Sequence, residues 1–300
     1  MSATRHSTPL DRAAAAVGLL ATLFAAAVAA QPEASGRQPS KEAGSPGEAT
    51  GSTTASVAAP AESAEDELSR RATDPTASPP SVALINDFTL SYQALPDGTP
   101  IDEDGYELRF QSVVPFVAWG APNILRMTVP YQIQGPGAAG LGDITLFDLV
   151  IVPLARGRLG VGAVGSFAAS SRETDAHAAG GPAIGIVIPL SKKVNVGLFN
   201  QNLFGDGVSI SQLQPIFAWQ LGSGWSLSLG DLQFPYDWDR GEFLSLPIGV
   251  QLGKVLPIAG QPMRFSINPQ YDFKDTPGAG RFSALFTVQL ILPDKKAGRS

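Results

Sequence analysis

The stretch Arg281-Phe282-Ser283-Ala284-Leu285-Phe286-Thr287-Val288-Gln289-Leu290 decides the fold. Phe282, Ala284, Phe286, Val288 and Leu290 alternate with Arg281, Ser283, Thr287 and Gln289. Successive side chains of a strand point to opposite faces, so this segment is a strand with one apolar and one polar face. The same period of two recurs upstream. Met263, Phe265, Ile267, Tyr271 and Phe273 alternate with Arg264, Ser266, Asn268, Gln270, Asp272 and Lys274. Leu213, Phe217, Trp219 and Leu221 alternate with Gln212, Gln214, Ala218 and Gln220. Leu125, Met127, Val129 and Tyr131 face away from Arg126, Thr128 and Gln132, as Tyr106, Leu108 and Phe110 do from Glu107, Arg109 and Gln111. Phe88, Leu90 and Tyr92 open the series against Asp87, Thr89 and Ser91. Less regular runs near 143–153, 159–168, 182–190, 193–203, 224–234 and 243–255 bring the number to about twelve, even as in bacterial single-chain outer-membrane barrels. Several reach about ten residues, the length that crosses a bilayer as a tilted strand.

Alternation alone fits a soluble sandwich or small barrel with the apolar face inward, or a membrane barrel with that face outward. Connection lengths separate the two. Odd connections read LPDGTPIDEDG, QGPGAAGLG, SSRETDAHAAGG, NLFGDGVS, PYDWDRGE and KDTPGAG. Even ones include ARGR, SKK and GSG, with VAWGAPN and LPIAGQP somewhat longer. Long outer loops and tight periplasmic turns are the membrane-barrel pattern. In that topology Tyr92, Tyr106, Tyr131, Tyr236 and Tyr271 fall near the outer strand ends, and Trp119, Trp219 and Trp225 at the periplasmic ends. Aromatics gathered at two levels are what the two interfaces of a bilayer select, with Tyr92, Tyr106, Tyr131, Trp219, Trp225 and Tyr271 as the interface residues. The reading is all-β: a transmembrane antiparallel up-and-down β-barrel of about 12 strands in the outer membrane, with no conventional core.

Composition agrees. Hydrophobic residues make up 44% of the 300 and charged residues only 16%, against about 25% in ordinary soluble domains. The net charge of −6 excludes a basic nucleic-acid surface. The absence of cysteine removes disulfides, Cys-based zinc sites and thiol nucleophiles. Arg5 and Arg12 precede the small-apolar run Ala13–Ala30, so residues 1–30 read as a cleaved signal peptide. Residues 31–80 are Ala/Ser/Pro/Glu/Gly/Thr-rich, with eight acids against four bases and few large apolar side chains. Such a segment reads as a disordered acidic spacer, which leaves the barrel at 81–300.

In this topology function resides in the lumen or the outer loops. The polar set Glu107, Arg109, Gln111, Arg126, Asp143, Arg264, Asn268, Gln270, Asp272, Lys274 and Arg281 is predicted to line the lumen. Glu107 and Arg109 would face Arg126, and Arg264, Asp272, Lys274 and Arg281 would share adjacent staves. Such a ladder orients a polar or amphipathic solute, or pairs internally and fills the bore. No metal set, cofactor motif or catalytic residue emerges. His177, the only histidine after the signal, sits in an outer loop, and Ala179 stands where a barrel phospholipase carries its serine.

A further series of motifs runs along the strands, its most specific piece being Leu246–Val255. Gly140-Leu141-Gly142-Asp143 opens one strand and Leu159-Gly160-Val161-Gly162 the next; Leu213-Gln214-Pro215 leads into another. Leu246-Pro247-Ile248-Gly249-Val250-Gln251-Leu252-Gly253-Lys254-Val255 forms a fourth, and the last ends Leu290-Ile291-Leu292-Pro293. Over about 125–293 the chain resembles the outer-membrane transporters of the phenol-degradation MetA-pathway family, some of whose members carry the label neuromedin U. The resemblance implies a barrel that passes small, often hydrophobic or aromatic molecules, with no catalytic residues. The expected function is therefore an outer-membrane channel or transporter. Its expected partners are outer-membrane lipid and lipopolysaccharide, the barrel-assembly machinery and a small-molecule solute. A non-conducting structural or adaptor barrel and a barrel lipid hydrolase are the alternatives. The acidic spacer and the tail Asp294–Ser300 depart from the family pattern.

Overall fold

The computed structural model describes residues 63–137, 139–167, 178–205 and 207–293. The signal segment 1–30, most of the spacer, and the loop holding Asp175 and His177 lie outside the described residues. Among those described, sixteen strand segments join into twelve staves. They are β1 (Ser81–Tyr92), β2 (Gly105–Ala118), β3 (Ala121–Gln134), and β4 (Gly140–Leu141 continued by Ile144–Pro153). Then come β5 (Arg158–Phe167), β6 (Ala179–Pro189), β7 (Val194–Gly205) and β8 (Val208–Gly222). β9 is broken into Trp225–Ser228 and Phe234–Asp237, and β10 into Glu242–Phe243, Pro247–Gly249 and Gln251–Ile258. β11 (Gln261–Asp272) and β12 (Gly280–Ile291) complete the set. Each stave pairs antiparallel with its sequence neighbours, and β12 returns to β1 in the register Ser81↔Ile291 to Phe88↔Ala284. The sheet thus closes on itself around the ring.

Local chemistry sets the turns. Trp119-Gly120, Ser223-Gly224 and Ala259-Gly260 join β2–β3, β8–β9 and β10–β11, and all six residues have φ between 50° and 80°. These are two-residue type I′ turns, whose twist matches the strands they connect, and glycine at the second place adopts positive φ without steric cost. The connections expected to be longer, VAWGAPN and LPIAGQP, are thus tight, because strand pairing continues to Ala118↔Ala121 and Ile258↔Gln261. At the opposite end residues 93–104 and 273–279 form longer loops, but β7 and β8 pair right up to Gly205↔Val208. NLFGDGVS is therefore strand and turn rather than an extended loop.

The exterior is apolar on almost every stave. Phe88, Val114, Val161, Phe167, Ile184, Leu198, Leu252, Ile267 and Phe286 are all exposed. No soluble surface carries such a continuous belt, and a lipid-facing one requires it. Trp119 is 93% exposed at the short-turn end, where Trp219 and Trp225 are exposed at the same end on β8 and β9. Tyr131 is exposed near the other end, where Tyr106 stacks on Phe88 at 4.7 Å and Tyr271 packs edge-on to Phe273 at 5.0 Å. By the convention of outer-membrane barrels, the short-turn end faces the periplasm.

The interior corrects the expectation of a uniformly polar lumen without a core. Val113, Ile124, Phe147, Leu149, Ile151, Val164, Ala183, Val187, Phe199, Leu203 and Ile216 form one buried cluster that fills the β2–β8 side. Phe147 and Phe199 meet at 5.6 Å with tilted rings. Gly185 makes room for them: a Cβ there would lie 2.4 Å from Cδ2 of Phe199. Open space remains beside this cluster, along the polar residues of the inner wall.

A second correction concerns residues 63–80, which the composition assigned to the disordered spacer. Ala64–Ala72 is a helix, α1, with Ser63 as N-cap accepting from the Asp66 N–H at 3.2 Å. Glu65, Asp66 and Glu67 fill its first turn, and Arg70 and Arg71 its last, the polarity its dipole favours. The segment buries little apolar surface and is ordered instead by hydrogen bonds to the barrel. Asp74, 1% exposed, is ion-paired to Arg158 of β5, whose Nε also donates to the Thr76 hydroxyl at 3.1 Å. Gln220 of β8 donates to the Thr73 hydroxyl at 3.2 Å, and the Gly224 N–H donates to Asp66 at 2.6 Å. The chain thus crosses the short-turn mouth before entering β1.

Candidate functional site: the barrel lumen

Three cavities follow one another along the polar wall, and Asp231 lines all of them. An outer cavity of about 250 Å³ lies between Asp231, Gln270, Asp272 and Ser283. A second, of about 380 Å³, is lined by Glu107, Arg109, Gln111, Arg126, Asp143 and Gln201. The innermost, about 100 Å³, has Arg126 and Arg264 in its walls, and Ala72, Thr73, Pro75 and Ser78 of the N-terminal segment close it. Residues Ile85, Gln111, Arg126 and Asp231 are common to the last two. The polar staves therefore carry a connected track that ends on the N-terminal segment.

Eight of the eleven residues expected in the lumen line these cavities: Glu107, Arg109, Gln111, Arg126, Asp143, Arg264, Gln270 and Asp272. Asn268 is buried against β9, with its Nδ2 donating to the Leu229 carbonyl at 3.5 Å. Lys274 and Arg281 are corrections. β11 ends at Asp272, so Lys274 belongs to the following loop, where it pairs with Glu242 at 2.7 Å. Arg281 is exposed, donates to the Tyr271 hydroxyl at 3.2 Å and lies 5.9 Å above that ring. A register shift in β1 opposite this end of β12 lets the side chain leave the inward alternation.

The charges inside are only partly matched. Arg109 does not face Arg126 as expected; it stands opposite Pro130 in the ladder and is ion-paired to Asp87 and to Glu107, the latter at 2.9 Å. Asp272 is committed to structure: it accepts from the Leu246 and Lys274 N–H groups at 2.9 and 2.8 Å and from the Ser245 hydroxyl. It pins the outer loop rather than facing solute. Arg126 lies 4.2 Å over the Phe147 ring, a cation–π contact between the polar track and the apolar cluster. Arg264 is 4% exposed and donates to Gln251 Oε1 at 2.9 Å and Ser266 Oγ at 3.4 Å. Gly253 on the neighbouring stave, opposite Ser266, is what admits its guanidinium, since a Cβ there would fall 2.5 Å from Nη2.

Sequence reasoning missed Asp231, because β9 is broken there and the period of two lapses between Ser228 and Phe234. It also missed Gln251 and Gln289 as lumen residues, and the helix at 64–72. The helix had a signal: Ser63 three residues before Asp66, acids in the first turn and bases in the last.

Comparison with known proteins adds the fold. No family model matches the chain, and no curated protein does. Among solved structures, an outer membrane channel from Pseudomonas putida F1 superposes with a TM-score of 0.50 at 12% identity, covering 71% of this chain and 96% of that one. The KdgM porin, solved in complex with disordered oligogalacturonate, gives 0.49 at 8% identity, with coverages of 71% and 99%. Outer membrane phospholipase A from Escherichia coli gives 0.39 at 9%, with 76% and 98%. The MetA-pathway resemblance therefore rests on its motifs alone, while the fold is that of a closed twelve-stranded outer-membrane β-barrel.

Proposed function

We propose that this chain is an outer-membrane channel for small molecules, held among outer-membrane lipid and lipopolysaccharide after delivery by the barrel-assembly machinery. The observation that carries the reading is the connected polar track along the lumen, from Gln270 and Ser283 through Arg109 and Arg126 to Arg264. A barrel that served only as a membrane anchor would gain nothing from two desolvated guanidiniums, Arg126 and Arg264, that share one nearby carboxylate, Asp231. The apolar cluster beside Arg126 and the motif resemblance to the MetA-pathway family support small hydrophobic or aromatic molecules as the solutes. The inner mouth is covered by residues 63–80, so the resting state is narrow or closed. Mechanistically, solute enters from the outer loops, exchanges part of its hydration for the glutamine and arginine donors of the wall, and leaves when the N-terminal segment yields.

Planar-bilayer recording of the refolded full chain tests this, together with swelling of liposomes in small aromatic solutes. Discrete conductance steps and faster swelling than in protein-free liposomes are expected. A silent bilayer with no swelling would leave the non-conducting structural barrel as the better reading.

A further inference from the structure

The innermost cavity contains a cation that the barrel itself does not neutralise. Arg264 and Arg126 both line it, and neither forms an ion pair with a carboxylate among the described residues. Arg264 is almost wholly buried, its Nε has no acceptor, and its two described acceptors, Gln251 and Ser266, are neutral. Asp231, the nearby carboxylate, attracts both guanidiniums but is a single charge between two, and its described hydrogen bond is accepted from Gln214 Nε2 at 3.1 Å. Two guanidiniums and one carboxylate leave the cavity with a formal charge of +1. Desolvated cations without partners are costly, and the cheapest remedy is a bound anion that accepts from the planar fork.

The rest of the wall describes that anion. Ile85, Val113 and Ile216 supply an apolar side, while Gln111 and Gln289 flank it with amide groups. The volume, about 100 Å³, suits a short or single-ring molecule and not an oligomer. We propose that Arg264 and Arg126 form a binding site for a small organic monocarboxylate with a compact apolar body, its carboxylate on the guanidiniums and its body on Ile85, Val113 and Ile216. This deepens the channel reading and rests on it for the route by which the ligand arrives, from the outer cavities. The N-terminal segment closes the far side, so the ligand pauses here before exit.

The experiment is equilibrium binding to the full chain folded in detergent, followed by fluorine NMR with 4-fluorobenzoate as probe and neutral 4-fluorobenzyl alcohol as its uncharged counterpart. Saturable binding of the acid is expected, at least tenfold tighter than the alcohol, with competition by butyrate. Arg264→Gln and Arg126→Gln should each weaken it tenfold or more, whereas Lys193→Gln on an exposed periplasmic turn changes net charge equally and leaves it unaltered. If Arg264→Gln loses the folded, heat-modifiable band, Arg126→Gln alone decides the matter. Equal affinity for acid and alcohol, or acid binding indifferent to Arg126→Gln, overturns the proposal. Charge-dependent binding in a protein that never conducts keeps the site and removes the channel reading. Conductance without any binding of 4-fluorobenzoate does the opposite.

Discussion

Gly185 and Asp74 show how single side chains shape this barrel. Gly185 is small because Phe199 occupies the space its side chain would need, so Gly185→Val must displace an aromatic ring in a packed cluster. Overpacking of this kind costs about 1–3 kcal/mol, and urea unfolding in detergent should report a loss of that size. Asp74 is buried and ion-paired to Arg158, which is about a third exposed. Asp74→Ala removes that pair and the acceptor for Thr76, at a cost of about 1–3 kcal/mol, on the scale of a lost charged hydrogen bond. The chain has no cysteine, so Ala72→Cys creates a single thiol beside the inner cavity. Its labelling by a water-soluble maleimide should accelerate about tenfold or more when Asp74→Ala is added, since about 1.4 kcal/mol is a factor of ten in population. Unchanged labelling would mean that Asp74 does not hold the segment in place.

At the scale of elements, the N-terminal helix is the part whose stability is separable from the barrel. Asp66 accepts a hydrogen bond from the backbone of Gly224, which is the main reason its carboxyl is held below its ordinary value of 3.8. A depressed value means that the docked segment prefers the ionised form. Its contribution to docking is complete above the ordinary carboxylate range and is lost as pH falls through the lowered value. A spin label on Ala64→Cys, an exposed position on α1, should be immobilised from pH 7 down to about 4 and become mobile on further acidification. Asp66→Asn should abolish that contribution and leave the label more mobile at neutral pH. The strands behave differently, since their ladders are shared around the ring and no stave can leave alone. The same contrast explains what could be read from sequence. β1, β2, β3, β8, β11 and β12 alternate cleanly, because most of their inward residues meet water or polar groups and only single positions such as Val113, Ile124 and Ile216 join the cluster. β4 to β7 carry apolar residues on both faces, as in Ile144–Pro153, so the period of two is blurred where the buried cluster sits. The signature of an internal core was present as continuous apolar runs, but a polar inner face was expected of every stave.

For the whole molecule, the decisive quantities are the outer apolar belt and the partly filled bore. The closed sheet resists detergent until heated, so the compact chain should run faster on unheated detergent gels and shift to the slower, unfolded position after boiling. An epitope inserted at Gly98, in the loop after β1, should be reached by antibody on intact cells, and one at Arg156, in the turn after β4, only after permeabilisation. The reverse pattern would invert the topology. The bore is narrowed twice, by the β2–β8 cluster and by residues 63–80. Deleting Ser63–Ser78 should therefore raise conductance several-fold over the full chain, while a channel unaltered by the deletion would deny the segment any part in closure.

Alternation, connection lengths and the two levels of aromatics were enough to specify a twelve-stranded, lipid-facing barrel, because each follows from local geometry that a strand or an interface imposes along the chain. The inward set was legible for the same reason, except where a loop began early at Lys274 or a register shift released Arg281. Three features were settled only by the closed fold. The ring brings Phe147 and Phe199 together from β4 and β7 and so makes a core inside one wall. It sets Arg126, Asp231 and Arg264, far apart along the chain, around one cavity. It also offers Arg158, Gln220 and Gly224 as partners to a polar segment whose composition alone could not order it. Those partners come from separate staves, and they converge only when the first and last strands pair.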